Sequence, residues 1–268
     1  MDSHLKRWLT GIIVVPIIVA IIVFFGVPGI TILIGAVILL GIYEYNAMFL
    51  GPDHSWEKTE LYIIGGAIPL SACLGGFAFM YGTATFGLLI VFALFLARIG
   101  QRPPDFSAQM KVVFGYMYIS LMMSFLVLIR QWPDGILWVI FIVSMTFSSD
   151  ISAFYAGKNW GRRKLFPEVS AKKTVEGALG SVVGTILCVL IFKVFFFEQV
   201  SFLSAVYLGF MAGILGQVGD LCASSLKRIS MIKDSGSLLP GHGGILDRLD
   251  SFIFIVPFVY YYKVYFAG

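Results

Sequence analysis

The sequence predicts an all-α integral membrane protein, a polytopic bundle of about nine transmembrane helices. Hydrophobic residues fill 59% of the 268 positions and only 13% are charged, whereas a soluble domain is about half apolar and about a quarter charged. Apolar windows near the length of about 20 residues that spans a membrane recur along the chain. Basic residues fall almost wholly in alternate connections between these windows. We therefore treat residues 1–268 as a single membrane domain.

The apolar windows give the predicted spans in order. The Gly-Val-Pro-Gly run at 26–29 separates the first two, because Gly and Pro interrupt regular structure. No Ala-x-Ala site follows the first window, which argues against a cleaved signal peptide. Residues 1–130 show hydropathy alone, and we expect the catalytic spans and loops within 135–268. The nine windows are residues 8–26, 29–50, 61–81, 84–97, 111–129, 134–149, 177–197, 203–220 and 252–266.

Charge orients the predicted spans, because cytoplasmic connections of membrane proteins are enriched in Lys and Arg. With a cytoplasmic N-terminus, all of the 19 basic residues except Arg130, Lys193 and Lys263 fall on the cytoplasmic side. The prediction is a multi-pass protein of the cell membrane whose polar loops face the cytoplasm. The net charge of +4 follows from this topology and indicates no nucleic-acid partner.

Three carboxylates lie toward the cytoplasmic ends of predicted spans. An ionised group at mid-membrane costs about 2.5–3.5 kcal/mol on insertion scales, so each one calls for a functional hypothesis. We interpret Glu44, in "IYEYN", as a polar group that reaches the interface or bonds a neighbouring helix. Asp150 and Asp220 end the sixth and eighth windows beside the two most charged loops. We predict that both belong to a site.

The first charged loop, residues 157–181, reads "GKNWGRRKLFPEVSAKKTVEGALGS". A basic loop that contacts anionic lipid would explain its composition. Its order favours a phosphate site, since Ser170, Lys173 and Thr174 precede Glu176 at the start of the seventh span, where free N–H groups and positive charge suit an anion. The chain has no G-x-x-x-x-G-K-[ST] sequence, which excludes a P-loop.

The second charged loop contains "KDSGSLLPGHGGILDRLDS", residues 233–251. If the eighth span continues as a helix past Asp220, Ser224 and Lys227 lie on the same face; a frayed helix end with a salt bridge is the structural alternative. The backbone at Gly243 and Gly244 is bare and can approach a ligand closely.

Two carboxylates follow at the start of the ninth span. Asp247 and Asp250 are three residues apart, so on a helix they share a face. Mg²⁺ prefers a few carboxylates together with substrate phosphates, and a simple helix-start charge would need one Asp rather than two. We predict that Asp220, Asp247 and Asp250 bind Mg²⁺, with a second cation possible. We assign His242, which has no second His nearby, as a hydrogen-bond donor to a phosphate.

These motifs resemble the signature of the phosphatidate cytidylyltransferases (CDP-diacylglycerol synthases). The upstream segment "DISAFYAGKNWGRRKLFPEVSAKKTVEGALGS" is also similar, with Phe154 and Ala171 in place of the usual Tyr and Pro. The spacing fits Lys173 better than Lys172 as the family lysine and leaves both open. The resemblance covers residues 145–255, and the matching signature positions are Ser224, Leu226, Lys227, Arg228, Lys233, Asp234, Gly236, Pro240, His242, Gly243, Gly244, Asp247, Arg248, Leu249 and Asp250.

The resemblance implies that CTP and phosphatidate give CDP-diacylglycerol and pyrophosphate with Mg²⁺, in a membrane homodimer. It implies metal ligands at Asp220, Asp247 and Asp250, with His242 and Lys227 completing the catalytic set. The substrate-binding residues that we predict are Asp150, Ser170, Lys173, Thr174, Glu176, Ser224, Arg228, Lys233, Gly243, Gly244 and Arg248.

Two alternatives come from other classes of protein. A CTP-dependent kinase of polyprenol or dolichol type would share the membrane setting, transfer the γ-phosphoryl group and release CDP. A membrane transporter would place polar residues near the middle of several spans, whereas here they cluster at one end. The D-G-x-x-A-R pattern of CDP-alcohol phosphotransferases is absent from the sequence.

Overall fold

The computed structural model describes residues 16–100, 103, 105–236, 238 and 243–266, which form seven long helices and one small sheet. A shorter helical stretch, residues 16–24, precedes the first long helix. The helices are α1 Gly26–Phe49, α2 Ser55–Arg98, α3 Phe106–Arg130, α4 Gly135–Trp160, α5 Val175–Phe195, α6 Phe202–Ile229 and α7 Leu246–Phe266. The strands β1 Lys164–Phe166 and β2 Ser170–Thr174 lie between α4 and α5.

All seven helices are long and apolar enough to cross a membrane. This confirms a polytopic helical membrane protein but not the predicted count of nine spans. The first predicted span, residues 8–26, begins outside the described residues. The third and fourth predicted spans form one element, α2, which is 44 residues long.

Helix α2 is bent back on itself at Gly76. The φ angle of Gly76 is 66°, in the left-handed region that glycine adopts without steric cost. Arg98, the last residue of α2, forms an ion pair with Glu60 near its beginning, and a Cβ added at Gly87 would lie 2.7 Å from a side-chain carbon of Ile64. The predicted boundary at residues 82–83 is therefore wrong, because hydropathy does not mark a turn inside an apolar run.

The helices that carry the predicted site carboxylates of the second unit extend beyond the predicted windows. Helix α4 continues to Trp160 and α6 to Ile229, and α7 already begins at Leu246. Asp150 therefore lies inside a helix rather than at its end. An α-helix forms its hydrogen bonds between backbone groups, so it can continue through polar residues after the apolar window has ended. The prediction that α6 continues past Asp220 is confirmed.

The chain forms two compact units. The first unit comprises residues 1–133 and 233–247, and its described part contains α1, α2, α3 and the start of α7. In this unit Tyr45 Oη donates to the Lys111 carbonyl at 2.9 Å, and Gln131 Nε2 donates to the Ala72 carbonyl at 2.7 Å. These long-range hydrogen bonds tie α3 to α1 and to α2, around a core of buried Ile and Leu side chains.

The second unit comprises residues 134–232 and 248–268, and α4, α5 and α6 pack closely within it. A Cβ added at Gly184 would collide with Ser152, and one at Gly209 would lie 2.6 Å from the Ile186 Cα. The hydroxyl oxygens of Ser149 and Ser181 are 2.7 Å apart in the buried contact of α4 with α5. Small residues and interhelical hydroxyl bonds are typical of membrane helices at close range.

The connection between α4 and α5 is an antiparallel β-hairpin, in which Lys164 lies opposite Thr174 and Phe166 opposite Ser170. The Thr174 hydroxyl then caps α5 by accepting from the Gly177 N–H at 3.1 Å. The all-α prediction contained no strand here. Short charged strands lack the alternating apolar pattern by which a strand is recognised in a sequence.

At the other end of the second unit, an ion pair joins α7 to the start of α4. Lys263 Nζ lies 2.6 Å from each Asp134 oxygen and 4.7 Å from the centroid of the Trp138 ring. Burial acts to raise the pKa of the Asp134 carboxyl, but the hydrogen bonds from Lys263 and Trp138 outweigh it and hold that pKa below its usual value.

Candidate active site

Three predicted site carboxylates of the second unit lie together although they are far apart in the sequence. Asp150 lies on α4, Asp220 on α6 and Asp250 on α7. Asp220 is close enough to Asp150 and to Asp250 for the charges to repel one another. A Cβ added at Gly219 would collide with the Asp250 carbonyl, so this glycine allows α7 to approach α6 beside Asp220. We call these three residues the aspartate group.

Cationic side chains face the aspartate group. Lys173 Nζ is 2.7 Å from Asp220 Oδ2, and the Lys173 side chain is 17% exposed. Arg248 lies near Asp150, and Lys227 lies near Asp250. Partly buried carboxylates need such partners, because removing a charged group from water carries a desolvation penalty that a nearby opposite charge offsets. The structure thus brings six of the predicted site residues, three acidic and three basic, into one cluster.

The hairpin distinguishes Lys173 from its neighbour Lys172. Successive side chains of a strand point to opposite faces, and both lysines lie in β2. Lys172 is exposed, whereas Lys173 is half-buried and paired with Asp220. The structure therefore places Lys173, rather than Lys172, at the aspartate group.

Several other predicted residues of the second unit bond to nearby backbone. Glu176 accepts from the backbone N–H groups of Arg162 at 3.0 Å and Arg163 at 3.3 Å, which closes the base of the hairpin. Arg228 Nε donates to the Val169 carbonyl at 3.2 Å, which ties the end of α6 to the hairpin. Thr174, Glu176 and Arg228 thus shape the loop. Ser170 is half-buried in β2, and Ser224 is half-buried one turn after Asp220 on α6.

The first unit holds a second pair of carboxylates, Glu44 and Asp247. Glu44 is 1% exposed. It accepts hydrogen bonds from the Ile245 N–H at 2.9 Å, the Leu246 N–H at 3.0 Å and the Ser235 hydroxyl at 2.9 Å. Two of these donors are backbone groups at the start of α7, which have no partner within the helix.

Asp247 is bound by the same segment of chain. Its Oδ2 accepts from the Ser235 N–H at 3.0 Å, the Ser235 hydroxyl at 3.0 Å and the Gly244 N–H at 3.1 Å. The Ser235 hydroxyl therefore lies between the Glu44 and Asp247 carboxylates. The role of Asp247 as a metal ligand stays a prediction. Two backbone N–H groups already donate to one of its oxygens, and the hydroxyl that also contacts Glu44 lies beside that oxygen.

The glycines of this segment fit around Glu44. A Cβ added at Gly236 would lie 2.5 Å from Glu44 Oε1, and one at Gly244 would lie 2.6 Å from Glu44 Oε2. Gly243 has a φ angle of 81°, which favours glycine for conformational reasons. The bare backbone that the sequence analysis assigned to a ligand therefore also admits a buried carboxylate of the protein itself.

Two predicted site residues, Lys233 and His242, remain to be placed. Lys233 is exposed, and His242, with Pro240 and Gly241, lies outside the described residues. Glu44 is the residue whose importance sequence reasoning underestimated. The only signal was a lone carboxylate inside an apolar span, and the sequence does not show that its partners are some 200 residues away.

The donor chemistry of the aspartate group fits Mg²⁺. Among the described residues, no group of three or more His, Cys, Asp or Glu side chains is arranged to hold a metal ion by itself. Mg²⁺ needs no such cage, because it is usually bound by one or two carboxylates, substrate phosphates and water. Asp220 and Asp250 provide carboxylate oxygens of that kind.

Comparison with known proteins shows the class of the chain. Residues 5–266 match the model of the cytidylyltransferase family, and the chain belongs to that family. It is similar to the phosphatidate cytidylyltransferase of Bacillus subtilis strain 168, with 38% identity over 151 residues, which is 56% of each chain.

Two further relatives carry the same name. The Synechocystis protein is 41% identical over 135 residues, 50% of this chain and 46% of the relative. The Thermotoga maritima protein is 26% identical over 267 residues, 97% of this chain and 96% of the relative. The chain thus spans about half the length of the B. subtilis and Synechocystis relatives in these matches.

Proposed function

We propose that the protein transfers the cytidylyl group of CTP to phosphatidate, giving CDP-diacylglycerol and pyrophosphate for phospholipid synthesis. The observation that carries the proposal is the aspartate group with Lys173, Lys227 and Arg248 beside it. Mixed acidic and basic side chains suit a reaction between polyanions and a divalent cation. Relatives named phosphatidate cytidylyltransferase support the choice of substrates.

The reaction needs charge control more than proton transfer. A phosphate oxygen of phosphatidate attacks the α-phosphorus of CTP, the bond from that phosphorus to the β-phosphate oxygen breaks, and pyrophosphate leaves with the electron pair. A phosphate monoester has a second pKa near 6, so it is mostly a dianion at neutral pH and needs no strong base. The obstacle is the repulsion between the nucleophile and the triphosphate.

The cationic side chains reduce that repulsion. The Lys173 ammonium has three N–H donors, so it can keep its contact with Asp220 and also donate to a substrate phosphate. Lys227 lies two helical turns beyond Asp220 on α6, on the same face. Fixed positive groups beside the reacting phosphates stabilise the charge of the transition state without having to reorganise.

We propose Asp220 and Asp250 as the residues that would hold Mg²⁺. When bound, the cation would neutralise phosphate charge and orient the triphosphate. The third predicted ligand, Asp247, and the possible second cation belong to the same proposal. The residues proposed to orient substrates are Ser224, His242, Gly243 and Gly244.

We also propose nine spans, in which residues 8–26 form the first and the two halves of α2 count separately. In this topology the N-terminus and the charged loops face the cytoplasm, where CTP is found, and the protein lies in the cell membrane. The distribution of basic residues supports this orientation. The homodimer implied by the resemblance is part of the proposal.

The test uses purified protein in detergent with CTP labelled at the α- or the γ-phosphate. We expect the α-label to enter lipid and one pyrophosphate to be released per lipid formed, only when a lipid phosphate monoester and Mg²⁺ are both present. Transfer of the γ-label to lipid, with release of CDP, would indicate a lipid kinase. Lipid or solute flux across liposomes without nucleotide turnover would indicate a transporter.

A further inference from the structure

Glu44 is a buried carboxylate whose hydrogen-bond donors all come from one short segment, residues 235–246. The donors are the N–H groups of Ile245 and Leu246 and the hydroxyl of Ser235, at 2.9–3.0 Å. The segment is some 200 residues away in the sequence and belongs to the same compact unit as Glu44. Asp247 accepts from Ser235 and Gly244 of the same segment, but Asp247 directly adjoins the segment along the chain, whereas Glu44 holds it from α1.

Two properties make the anchor strong. Hydrogen bonds to an ionised group are shorter and about twice as strong as neutral ones. The first N–H groups of α7 have no partner within the helix and lie at the positive end of its dipole. A carboxylate at this position accepts their hydrogen bonds and is itself stabilised by the dipole. Without Glu44, the N–H groups of Ile245 and Leu246 would lose their buried acceptor.

Three of the described residues around Glu44 are glycines. Glycines 236, 243 and 244 give the backbone of the segment wide conformational freedom. Gly236 and Gly244 pack directly against the Glu44 carboxylate, and the Ser235 hydroxyl is shared between Glu44 and Asp247. One side chain on α1 therefore restricts several loose backbone positions and the first turn of α7.

We propose that Glu44 is a positioning residue, which holds Ser235, Gly236 and residues 243–246 in the one conformation that binds the phosphates of CTP. The inference rests on the proposed function, because Gly243 and Gly244 are the substrate-orienting residues there. When only a fraction of molecules has the binding conformation, the apparent affinity falls by that fraction. At saturating CTP, binding shifts all molecules into the competent conformation. A less ordered segment therefore raises KM and leaves kcat nearly unchanged.

The decisive variant is Glu44→Gln, which keeps the size of the side chain and removes its charge and one acceptor oxygen. We expect the KM for CTP to rise about tenfold and kcat to stay within about threefold, since the change acts on the fraction of competent molecules. Exchange of the amide hydrogens of Ile245 and Leu246, which donate to Glu44, should accelerate by about tenfold or more.

The matched control is Glu57→Gln. Glu57 is a fully buried carboxylate of the same unit, at 0% exposure, and it accepts from Gln109 and lies 3.6 Å from Arg98. This variant should leave the KM for CTP and the amide exchange of Ile245 and Leu246 at wild-type values. A milder second variant, Ser235→Ala, removes the shared hydroxyl and should raise KM about threefold through the same loss of competent molecules.

A folded Glu44→Gln protein with wild-type KM and wild-type exchange would overturn the inference. A large fall in kcat with unchanged KM would overturn it as well, because Glu44 would then act in the chemical step. Failure of the proposed function shows itself differently, as wild-type protein that makes no CDP-diacylglycerol. In that case, unchanged exchange in Glu44→Gln would still refute the anchor, and faster exchange would support it.

Discussion

The two carboxylate groups of this protein use the same chemical group in opposite ways. Glu44, and one oxygen of Asp247, are satisfied by backbone N–H groups and a hydroxyl. The aspartate group in the other unit is faced by the long cationic side chains of Lys and Arg residues. A carboxylate bound by backbone fixes the chain, whereas one paired with long cationic side chains can share those cations with a substrate.

Exposure follows the same division. Glu44 is 1% exposed, and a substrate has no access to it. The Asp220 side chain is 32% exposed although it is paired with Lys173, so solvent and ligands can reach it. We therefore expect the aspartate group to act in the reaction and Glu44 to hold the backbone in place, and each role can be tested separately.

The largest effect is expected from Asp220→Asn. Removing one electrostatic group from a preorganised site lowers kcat by about 10²–10³-fold, and the folded protein should persist, since the asparagine has the same shape. The exposed Asp53 provides the control, because Asp53→Asn should stay within about twofold of wild type. Steady-state turnover and thermal unfolding measure both. If Asp220→Asn keeps most of its turnover, the aspartate group is not the site.

The next effect compares two adjacent lysines. Lys173→Ala should lower kcat/KM by about 10–100-fold, because a charge-assisted hydrogen bond is worth about 1.5–3 kcal/mol. The exposed Lys172 should be replaceable by Ala within about twofold, as for a surface charge. Turnover at varied CTP and varied phosphatidate measures the difference. The opposite ranking would show that the strand presents the other lysine to the substrate.

A third prediction tests the scaffold through its glycines. Gly236→Ala places a Cβ 2.5 Å from Glu44 Oε1, and overpacking of this kind typically costs about 1–3 kcal/mol. It should raise the KM for CTP in the same direction as Glu44→Gln. Gly35→Ala on α1, where a Cβ would meet nothing within 4 Å, is the control. Equal kinetics for the two alanine variants would contradict the close fit around Glu44.

The smallest effect concerns stability alone. Asp134→Asn removes the ion pair with Lys263 and should lower the melting temperature slightly with no change in turnover, because a partly exposed pair contributes about 1 kcal/mol or less. The pKa of Asp134 is lowered in the folded protein, so the pair stabilises above the unfolded pKa and is lost as pH falls through the folded one. Melting temperatures of the two proteins should therefore converge in acid. A gap that persists there would contradict the ionic origin.

The sequence predicted the main features of the fold, because membrane helices are specified by apolar length. It missed the bend at Gly76 and the β-hairpin, since neither changes hydropathy. Helical spacing correctly placed Lys227 on the Asp220 face of α6. Hydropathy marks where an apolar stretch ends but not where the helix ends, so it did not show that Asp150 lies inside α4.

The sequence singled out all six charged residues at the aspartate group, although they come from three helices and a strand, but it did not show which side chains contact one another. Glu44 and Ser235 form a hydrogen bond across 191 positions, and no local pattern connects them. Spacing in the sequence favoured Lys173 but left Lys172 open, and the alternation of side chains in β2 is what places Lys173 beside Asp220.

The most direct test of the account is a Mg²⁺ titration of turnover at saturating CTP and phosphatidate, for wild type, Asp250→Asn and Glu44→Gln. Wild type should need the cation and lose turnover on chelation, and Asp250→Asn should require about tenfold more Mg²⁺ or lose turnover altogether, since a carboxylate ligand is gone. Glu44→Gln should keep the wild-type Mg²⁺ dependence. Wild-type turnover that survives full chelation, or an Asp250→Asn titration that coincides with that of wild type, would contradict the assignment of chemistry to the aspartate group.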